Sequence, residues 1–255
     1  MEKEHITKQK MTEINKIIQG DCRTEMKKLS GDSVDICICS PPYLAGTDIS
    51  TGKKSKYEGY DDSGSVEDYY KLIKESLTEA IRVTKYYVFW NFQILSKTKK
   101  VWQRILWEFR DNIKEYFIWA KSHSQPAICE GVVSSGFEFI ICFTKPEYAT
   151  KRRFERYFFS NRTKGAPVVS NTIIAPPNFN TNAQHLAQFP AWLPRYFIKN
   201  FSKEGDIILD CFAGLSTTLK VAKQMGRNYL GFELIEKYVE MGNKGLEQEG
   251  LGKWV

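Results

Sequence analysis

Val34-Asp35-Ile36-Cys37-Ile38-Cys39 runs directly into Ser40-Pro41-Pro42-Tyr43, and the reading of this junction decides the fold. The first six residues have the length and β-branched content of a buried strand. Two consecutive prolines then forbid both a continued hydrogen-bond ladder and a helix. The strand must stop there, leaving a small hydroxyl, a rigid turn and an aromatic ring at the carboxyl edge of a sheet. Open α/β sheets bind their ligands at that edge.

Working outward, the chain alternates strands and helices on both sides of this junction. Ile17-Ile18 leads into Gly20-Asp21, a short strand ending in a turn with a carboxylate, and Cys22–Leu29 reads as a helix. Beyond the junction, residues 44–64 change to Gly, Ser, Thr, Asp, Lys and Tyr, including Lys53, Lys54 and Lys56. Such a long segment without periodicity is a functional lid or a disordered loop. Ser65-Val66-Glu67-Asp68 resembles a capping box, followed by Tyr69, Leu72, Ile73, Leu77, Ala80 and Ile81 at helical spacing. Strands are predicted at Tyr86–Trp90, Tyr116–Ala120 and Phe137–Phe143, with an amphipathic helix over Ser96–Arg110 and a polar loop over Ser122–Gly136 holding His123, Gln125 and Pro126.

Residues 144–184 break this alternation. Lys151-Arg152-Arg153-Phe154-Glu155-Arg156-Tyr157-Phe158-Phe159 interleaves cations with aromatics. A solvated helix or hairpin face has this composition, and so does a surface that contacts phosphates and stacks on bases. After Pro176-Pro177 a helix is predicted through Phe189, Trp192, Leu193, Phe197 and Ile198, and then a strand over Asp206–Asp210.

That strand enters Cys211-Phe212-Ala213-Gly214-Leu215-Ser216-Thr217-Thr218, a helix over Leu219–Met225 and a strand over Asn228–Glu233 ending on an acid. Strand, glycine turn, helix, strand and acid is the layout of a nucleotide-type cofactor site. The turn lets backbone approach a ligand, and the terminal acid holds a ribose diol or is a solvated strand end. A single glycine at Gly214 is not a dinucleotide fingerprint, which favours an adenosyl group without phosphates.

Bulk properties limit the function classes. The 255 residues are 42% hydrophobic and 26% charged with a formal net charge of +7, which suits a polyanionic partner without requiring one. The six cysteines, Cys22, Cys37, Cys39, Cys129, Cys142 and Cys211, include no C-x-x-C pair. Cys37 and Cys39 share a strand face but lack a companion pair for zinc, so buried free thiols in a reducing compartment are expected and no metal. No apolar stretch approaches a membrane span and the amino terminus lacks a signal-peptide core. A cytoplasmic protein with no membrane partner is the expectation.

Taken together, Ile17-Ile18-Gln19-Gly20-Asp21, Ser40-Pro41-Pro42-Tyr43, His185-Leu186-Ala187-Gln188-Phe189-Pro190, Asp210–Gly214 and Glu233 resemble the S-adenosylmethionine-dependent DNA amino-methyltransferases of the permuted β group, in which the catalytic motif precedes the cofactor turn. The resemblance covers almost the whole chain. It implies a Rossmann-like α/β fold, a seven-stranded, mostly parallel sheet with helices on both faces, in one catalytic domain over 1–255. It places the Asp210, Glu233 and Ile17-Ile18 strands on one side of the switch point and the Val34–Cys39 strand on the other. The turn departs from the family by having Leu215 where a second glycine is common, and Leu186 stands where a proline usually follows the histidine.

The resemblance also implies roles. Asp210, Phe212 and Gly214 would line the methionine part of S-adenosylmethionine, Glu233 the ribose hydroxyls and Asp21 the adenine amino group, with Cys22, Ser40, Cys211, Ala213, Ser216, Thr217 and Leu234 also binding the cofactor. The His185–Pro190 segment, with Gln188 and Phe189, would close over the methionine end. Ser40, Pro41, Pro42 and Tyr43 would be catalytic. A conjugated exocyclic amine is a poor nucleophile, and acceptors at Ser40 Oγ and the Pro41 carbonyl would aim its lone pair at the methyl group. Tyr43 would stack on a base taken out of the duplex. No Pro-Cys nucleophile exists in the chain, which argues against C5-cytosine chemistry. In this family a serine at the first motif position is associated mainly with N4 of cytosine, and aspartate with N6 of adenine. N4-cytosine methylation of DNA is therefore expected, with adenine N6, an amine in RNA or protein, or an inactive nucleic-acid-binding fold as rivals. DNA is the implied partner, with a homodimer or a cognate restriction enzyme of the same system left open. A short target-recognition insertion is expected at about 145–182, with Arg152, Arg153 and Arg156 as DNA contacts, and Lys53, Lys54 and Lys56 in the 44–64 loop as a second DNA surface.

Overall fold

A computed structural model of the chain describes residues 14–44, 64–122, 131, 133–155, 169–177 and 190–248. In chain order the elements are β1 (Lys16–Gln19), α1 (Cys22–Lys27), β2 (Val34–Cys39), α2 (Val66–Val83), β3 (Thr84–Phe92) and α3 (Lys99–Glu108). Next come β4 (Ile113–Lys121), β5 (Phe137–Phe143), α4 (Pro146–Ala149) and β6 (Thr172–Ala175). The chain continues through α5 (Trp192–Phe201), β7 (Ile207–Asp210), α6 (Thr217–Gln224), β8 (Asn228–Glu233) and α7 (Glu236–Gln248).

The strands form one eight-stranded sheet in the order β1-β8-β7-β2-β3-β5-β4-β6. Only β5 runs against the others, pairing antiparallel with both β3 and β4. The expected seven strands are present, and β6 is an eighth that the sequence reading did not foresee. Its four residues have only Ile173 buried while Ile174 is exposed, so it carries too little apolar pattern to read locally. Pairing with β4, from Ile118↔Thr172 to Lys121↔Ala175, makes it a strand.

Helices cover both faces. On one, α1, α2 and α3 enclose Met26, Tyr70, Ile73, Leu77, Trp90, Phe92, Trp102 and Ile105. The Ser65 cap forms as the sequence suggests: its hydroxyl accepts from Asp68 N at 3.1 Å. On the other face α5, α6 and α7 pack Leu193, Phe197, Phe201, Leu219, Ala222 and Leu246 over Ile36, Phe89, Phe117 and Ile208. Phe89 stacks on Phe197 with centroids 4.3 Å apart, which fixes α5 against the middle of the sheet.

One glycine sets how closely the second layer approaches. A Cβ at Gly231 in β8 would lie 2.5 Å from Leu219 Cδ1 and 3.1 Å from Ala213 Cβ. Leu219 is completely buried and has nowhere to move. Gly231→Ala is expected to lower stability by about 1–3 kcal/mol through overpacking, measured as a lower denaturant midpoint. An unchanged midpoint would mean that this contact has slack.

Candidate active site

The carboxyl ends of β1, β8, β7 and β2 lie side by side. Gln19 is level with Glu233, Asp210 with Gly231, and Cys37 with Leu209. The chain leaves β7 for α6 on one face, whereas the connection from β2 leads to α2 on the opposite face. Diverging connections open a crevice between β7 and β2. Asp210 and Ser40 stand on its two sides, although 170 positions separate them in the chain.

On the β7 side the turn is built around two carboxylates. Asp210 Oδ1 accepts from Phe212 N at 3.1 Å, and Thr218 bonds the same side chain. Glu233 Oε2 accepts from Gly214 N at 2.8 Å and Oε1 from Ile235 N at 2.9 Å. The backbone turns left-handed at Gly214 (φ +49°) and at Ser216 (φ +64°), and the amides of the turn are held internally: Ala213 N donates to the Phe232 carbonyl at 2.9 Å and Ser216 N to the Ala213 carbonyl at 2.6 Å. Burial pushes the Asp210 carboxyl up to about 7, with the nearby Glu233 charge adding to it, and burial also raises Glu233. Among the described residues neither is ion-paired. Ser216 Oγ is buried without a partner. A ligand that brings positive charge and hydrogen-bonding groups would satisfy all three.

The other predicted cofactor residues divide. Thr217 opens α6 at the turn, Phe212 packs edge-on against Trp90 at 5.9 Å, and Leu234 is exposed beside Glu233. Cys22, Cys211 and Ala213 turn their side chains into the core, so only their backbone is available to a ligand. Cys22 Sγ lies 3.5 Å from Ser76 Oγ between α1 and α2. Cys211 joins Cys37 and Cys39 in a buried group whose sulfurs all lie within 4.8 Å of one another. This third thiol follows β7, distant in sequence, and gives the Cys37/Cys39 pair one further thiol rather than the second pair of a four-ligand zinc site. Asp21 caps α1 by accepting from Arg23 N at 2.9 Å, and Arg23 Nη2 holds its other oxygen at 2.6 Å. The Arg23 hydrogen bonds lower its pKa. A donor arriving at Asp21 would share oxygens already in use.

On the β2 side, Pro41 is buried and Ser40, Pro42 and Tyr43 are half-buried. Ser40 Oγ lies 3.0 Å from Tyr43 Oη. Beneath them are three residues that the sequence reading missed. Asn91 of β3 donates through Nδ2 to Tyr43 Oη at 2.8 Å and to Glu138 Oε2 at 2.9 Å. Tyr43 itself donates to Glu138 Oε2 at 3.3 Å, and Lys121 pairs with Glu138 Oε1 at 2.9 Å. The available signal was a polar residue inside each of two apolar runs, Phe89-Trp90-Asn91-Phe92 and Phe137-Glu138-Phe139. Buried polar groups are kept where they have partners or work to do.

The structure does not bring Arg152 and Arg153 to this site. Because β5 is antiparallel, the chain leaves it at the opposite edge of the sheet, with Phe143 level with Ile113 at the start of β4. Lys114 Nζ donates to the carbonyls of Tyr148, Lys151 and Arg153 and holds the segment there, while Phe154 packs on Tyr87 and Phe201. The two arginines are exposed and sit at the edge of the sheet away from Ser40. Lys53, Lys54, Lys56, Arg156, His185, Gln188 and Phe189 lie outside the described residues.

The comparisons with known proteins agree with this geometry. Residues 34–244 match the N6/N4 methyltransferase family model, described as DNA methylase. The type II methyltransferase M.HinfI of Haemophilus influenzae is 25% identical over 92% of this chain and 69% of its own length. M.HpaI of Haemophilus parainfluenzae is 27% identical over 92% of this chain and 74% of its own. Among solved structures, the cytosine-N4-specific PvuII DNA methyltransferase superposes with a TM-score of 0.67 at 19% identity, covering 91% of this chain and 86% of that one. M1.HpyAVI in complex with SAM gives 0.61 at 19% identity, covering 91% and 98%. No helix among the described residues is long and apolar enough to cross a membrane. With the family model spanning both the Ser40 motif and the Asp210–Glu233 turn, the chain belongs to the S-adenosylmethionine-dependent DNA amino-methyltransferases that act on N4 of cytosine or N6 of adenine.

Proposed function

We propose that the chain methylates the N4 amine of cytosine in DNA, on a base extruded from the duplex. The observation that carries this reading is Ser40 at the first motif position. Its neutral hydroxyl sits at the end of β2, half-buried and 3.0 Å from Tyr43 Oη, the position at which a serine is associated mainly with cytosine in the family it resembles. A duplex hides the amine in the stack, so the base has to leave it before the lone pair can meet a methyl group in line.

S-adenosylmethionine supplies a methyl group on a positively charged sulfur. The Asp210 and Glu233 carboxylates, unpaired by any described cation, fit a ligand carrying a sulfonium and an ammonium. In this reading Asp210 and the Phe212–Thr217 backbone hold its amino-acid end and Glu233 its ribose, using the lone pairs not engaged by Gly214 and Ile235. Ser40 Oγ and the Pro41 carbonyl accept from the target amine, and the Tyr43 ring supports the base. The described ends of the segments 45–63 and 178–189, Leu44 and Pro177, emerge at this edge of the sheet, so Lys53, Lys54 and Lys56 remain the DNA contacts we favour over Arg152 and Arg153.

The test is chemical. DNA methylated by the purified protein is digested to nucleosides and separated by mass. N4-methylcytosine is the expected product, and N6-methyladenine alone would overturn the choice of base.

A further inference from the structure

A serine hydroxyl accepts a hydrogen bond from an amine but is too weak a base to keep its proton. Once the amine nitrogen has gained a carbon it is cationic and must lose a proton before the product can leave. The residues beneath Ser40 offer a route. We propose that Ser40, Tyr43 and Glu138 form a proton relay, with Glu138 as the terminal acceptor and with Asn91 and Lys121 as positioning residues. This rests on the reading of the site as one that methylates an amine, and it applies to cytosine and adenine alike.

The direction of the hydroxyls follows from the partners. Glu138 is a carboxylate and accepts only, so the Asn91 amide turned toward it must present Nδ2, and its Oδ1 is left buried without a partner. The same Nδ2 fills one lone pair of Tyr43 Oη at 2.8 Å. Tyr43 then donates its own proton to Glu138 Oε2 and receives the Ser40 hydroxyl at 3.0 Å. A chain donating from Ser40 to Tyr43 to Glu138 leaves a Ser40 lone pair for the substrate amine, the other lying 3.5 Å from Asn91 Nδ2. Lys121, 2.9 Å from Glu138 Oε1, fixes the far end. Glu138 and Asn91 are 9% and 3% exposed, so the relay runs through protein rather than bulk water. The Tyr43–Glu138 contact of 3.3 Å is long for two oxygens, and such contacts tighten when the substrate is bound.

The step balances. The nitrogen–carbon bond forms as the carbon–sulfur bond breaks, its electron pair remaining on sulfur. The nitrogen proton passes to Ser40 Oγ, the Ser40 proton to Tyr43 Oη, and the Tyr43 proton to Glu138 Oε2. Glu138 ends as a neutral acid beside the Lys121 ammonium.

A purely structural Lys121–Glu138 pair would leave proton transfer indifferent to the Tyr43 hydroxyl. Tyr43→Phe separates the two readings, because it keeps the ring and both other contacts of Glu138 while cutting the relay. Single-turnover transfer is expected to fall about 10- to 100-fold. Calorimetric binding of S-adenosylmethionine and the fluorescence of 2-aminopurine placed at the target, which reports base extrusion, should stay as in the wild type. Glu138→Gln should lower single-turnover transfer to a similar extent with cofactor binding unchanged, and the double variant Glu138→Gln/Lys121→Met repeats the measurement without an unpaired lysine if the single one does not fold. A wild-type rate in Tyr43→Phe, or in the Glu138 variants, would overturn the relay. Methyladenine in the nucleoside digest would overturn the cytosine reading alone, and a wild-type protein that transfers nothing to DNA would overturn both.

Discussion

Ser40→Ala is expected to lower single-turnover methyl transfer by about 10²–10³-fold, the range for removing one positioned group that acts in the transition state, while the dissociation constant for S-adenosylmethionine stays within about twofold. The rate falls because the alanine leaves one hydrogen-bond acceptor fewer at the target amine and breaks the first link of the path to Glu138. The fold survives, since Tyr43 Oη keeps Asn91 at 2.8 Å and Glu138 at 3.3 Å. Cofactor binding is expected to survive because most of the residues proposed for it belong to β7, α6 and β8, across the crevice. Rapid-quench transfer of labelled methyl groups and calorimetry check the two halves separately. Normal turnover in Ser40→Ala would remove the serine from catalysis.

Asp210→Asn is expected to move stability and binding in opposite directions. Burial, the largest cause, raises the Asp210 carboxyl from 3.8 in the unfolded chain to about 7 in the folded one. A group with a raised folded pKa binds its proton more tightly when folded. For a carboxyl this means that the folded state is penalised as pH rises from about 4 to about 7, and the penalty is constant above that. At about 1.4 kcal/mol per tenfold the ligand-free protein carries at most roughly 4 kcal/mol of destabilisation at pH 8. Asparagine keeps the size and the acceptor for Phe212 N but has no charge to bury. The ligand-free variant should therefore be more stable than the wild type at pH 8 by one to a few kcal/mol, with the difference gone near pH 4. Cofactor affinity should fall at least tenfold at pH 8, because the positive charges of S-adenosylmethionine lose their buried counter-charge. For the wild type the same linkage predicts tighter cofactor binding at pH 8 than at pH 6. Denaturation curves at several pH values and calorimetry at the two pH values test this. A variant less stable than the wild type at pH 8 would show that Asp210 is compensated within the protein.

Much of the fold was legible in the sequence because its signals are local. The β-branched run over Val34–Cys39, the serine cap of α2 and the glycine turn before α6 each depend on a few neighbouring residues. β5 was read to its observed bounds, Phe137–Phe143, and β8 to Asn228–Glu233. The two halves of the site were also legible, since a double proline stops a strand and a lone glycine between a strand and a helix makes a turn wherever they occur. β6 was not, because a four-residue edge strand owes its existence to a partner some fifty positions earlier in the chain.

Tertiary structure decided what depends on direction and long-range pairing. The antiparallel run of β5 sends Arg152 and Arg153 to the far edge of the sheet, although the sequence made them the most basic stretch near the site. Sheet order brought Cys211 against Cys37 and Cys39, and it brought Asn91 and Glu138 beneath Ser40 from two strands whose apolar neighbours made them look like core. The sequence by itself determined the family, the two motifs and the α/β architecture, since propensity and turn chemistry act over a few residues. Which charges face the crevice, and where the Ser40 proton can go, depended on strand order and direction, and those follow from burying the whole sheet at once.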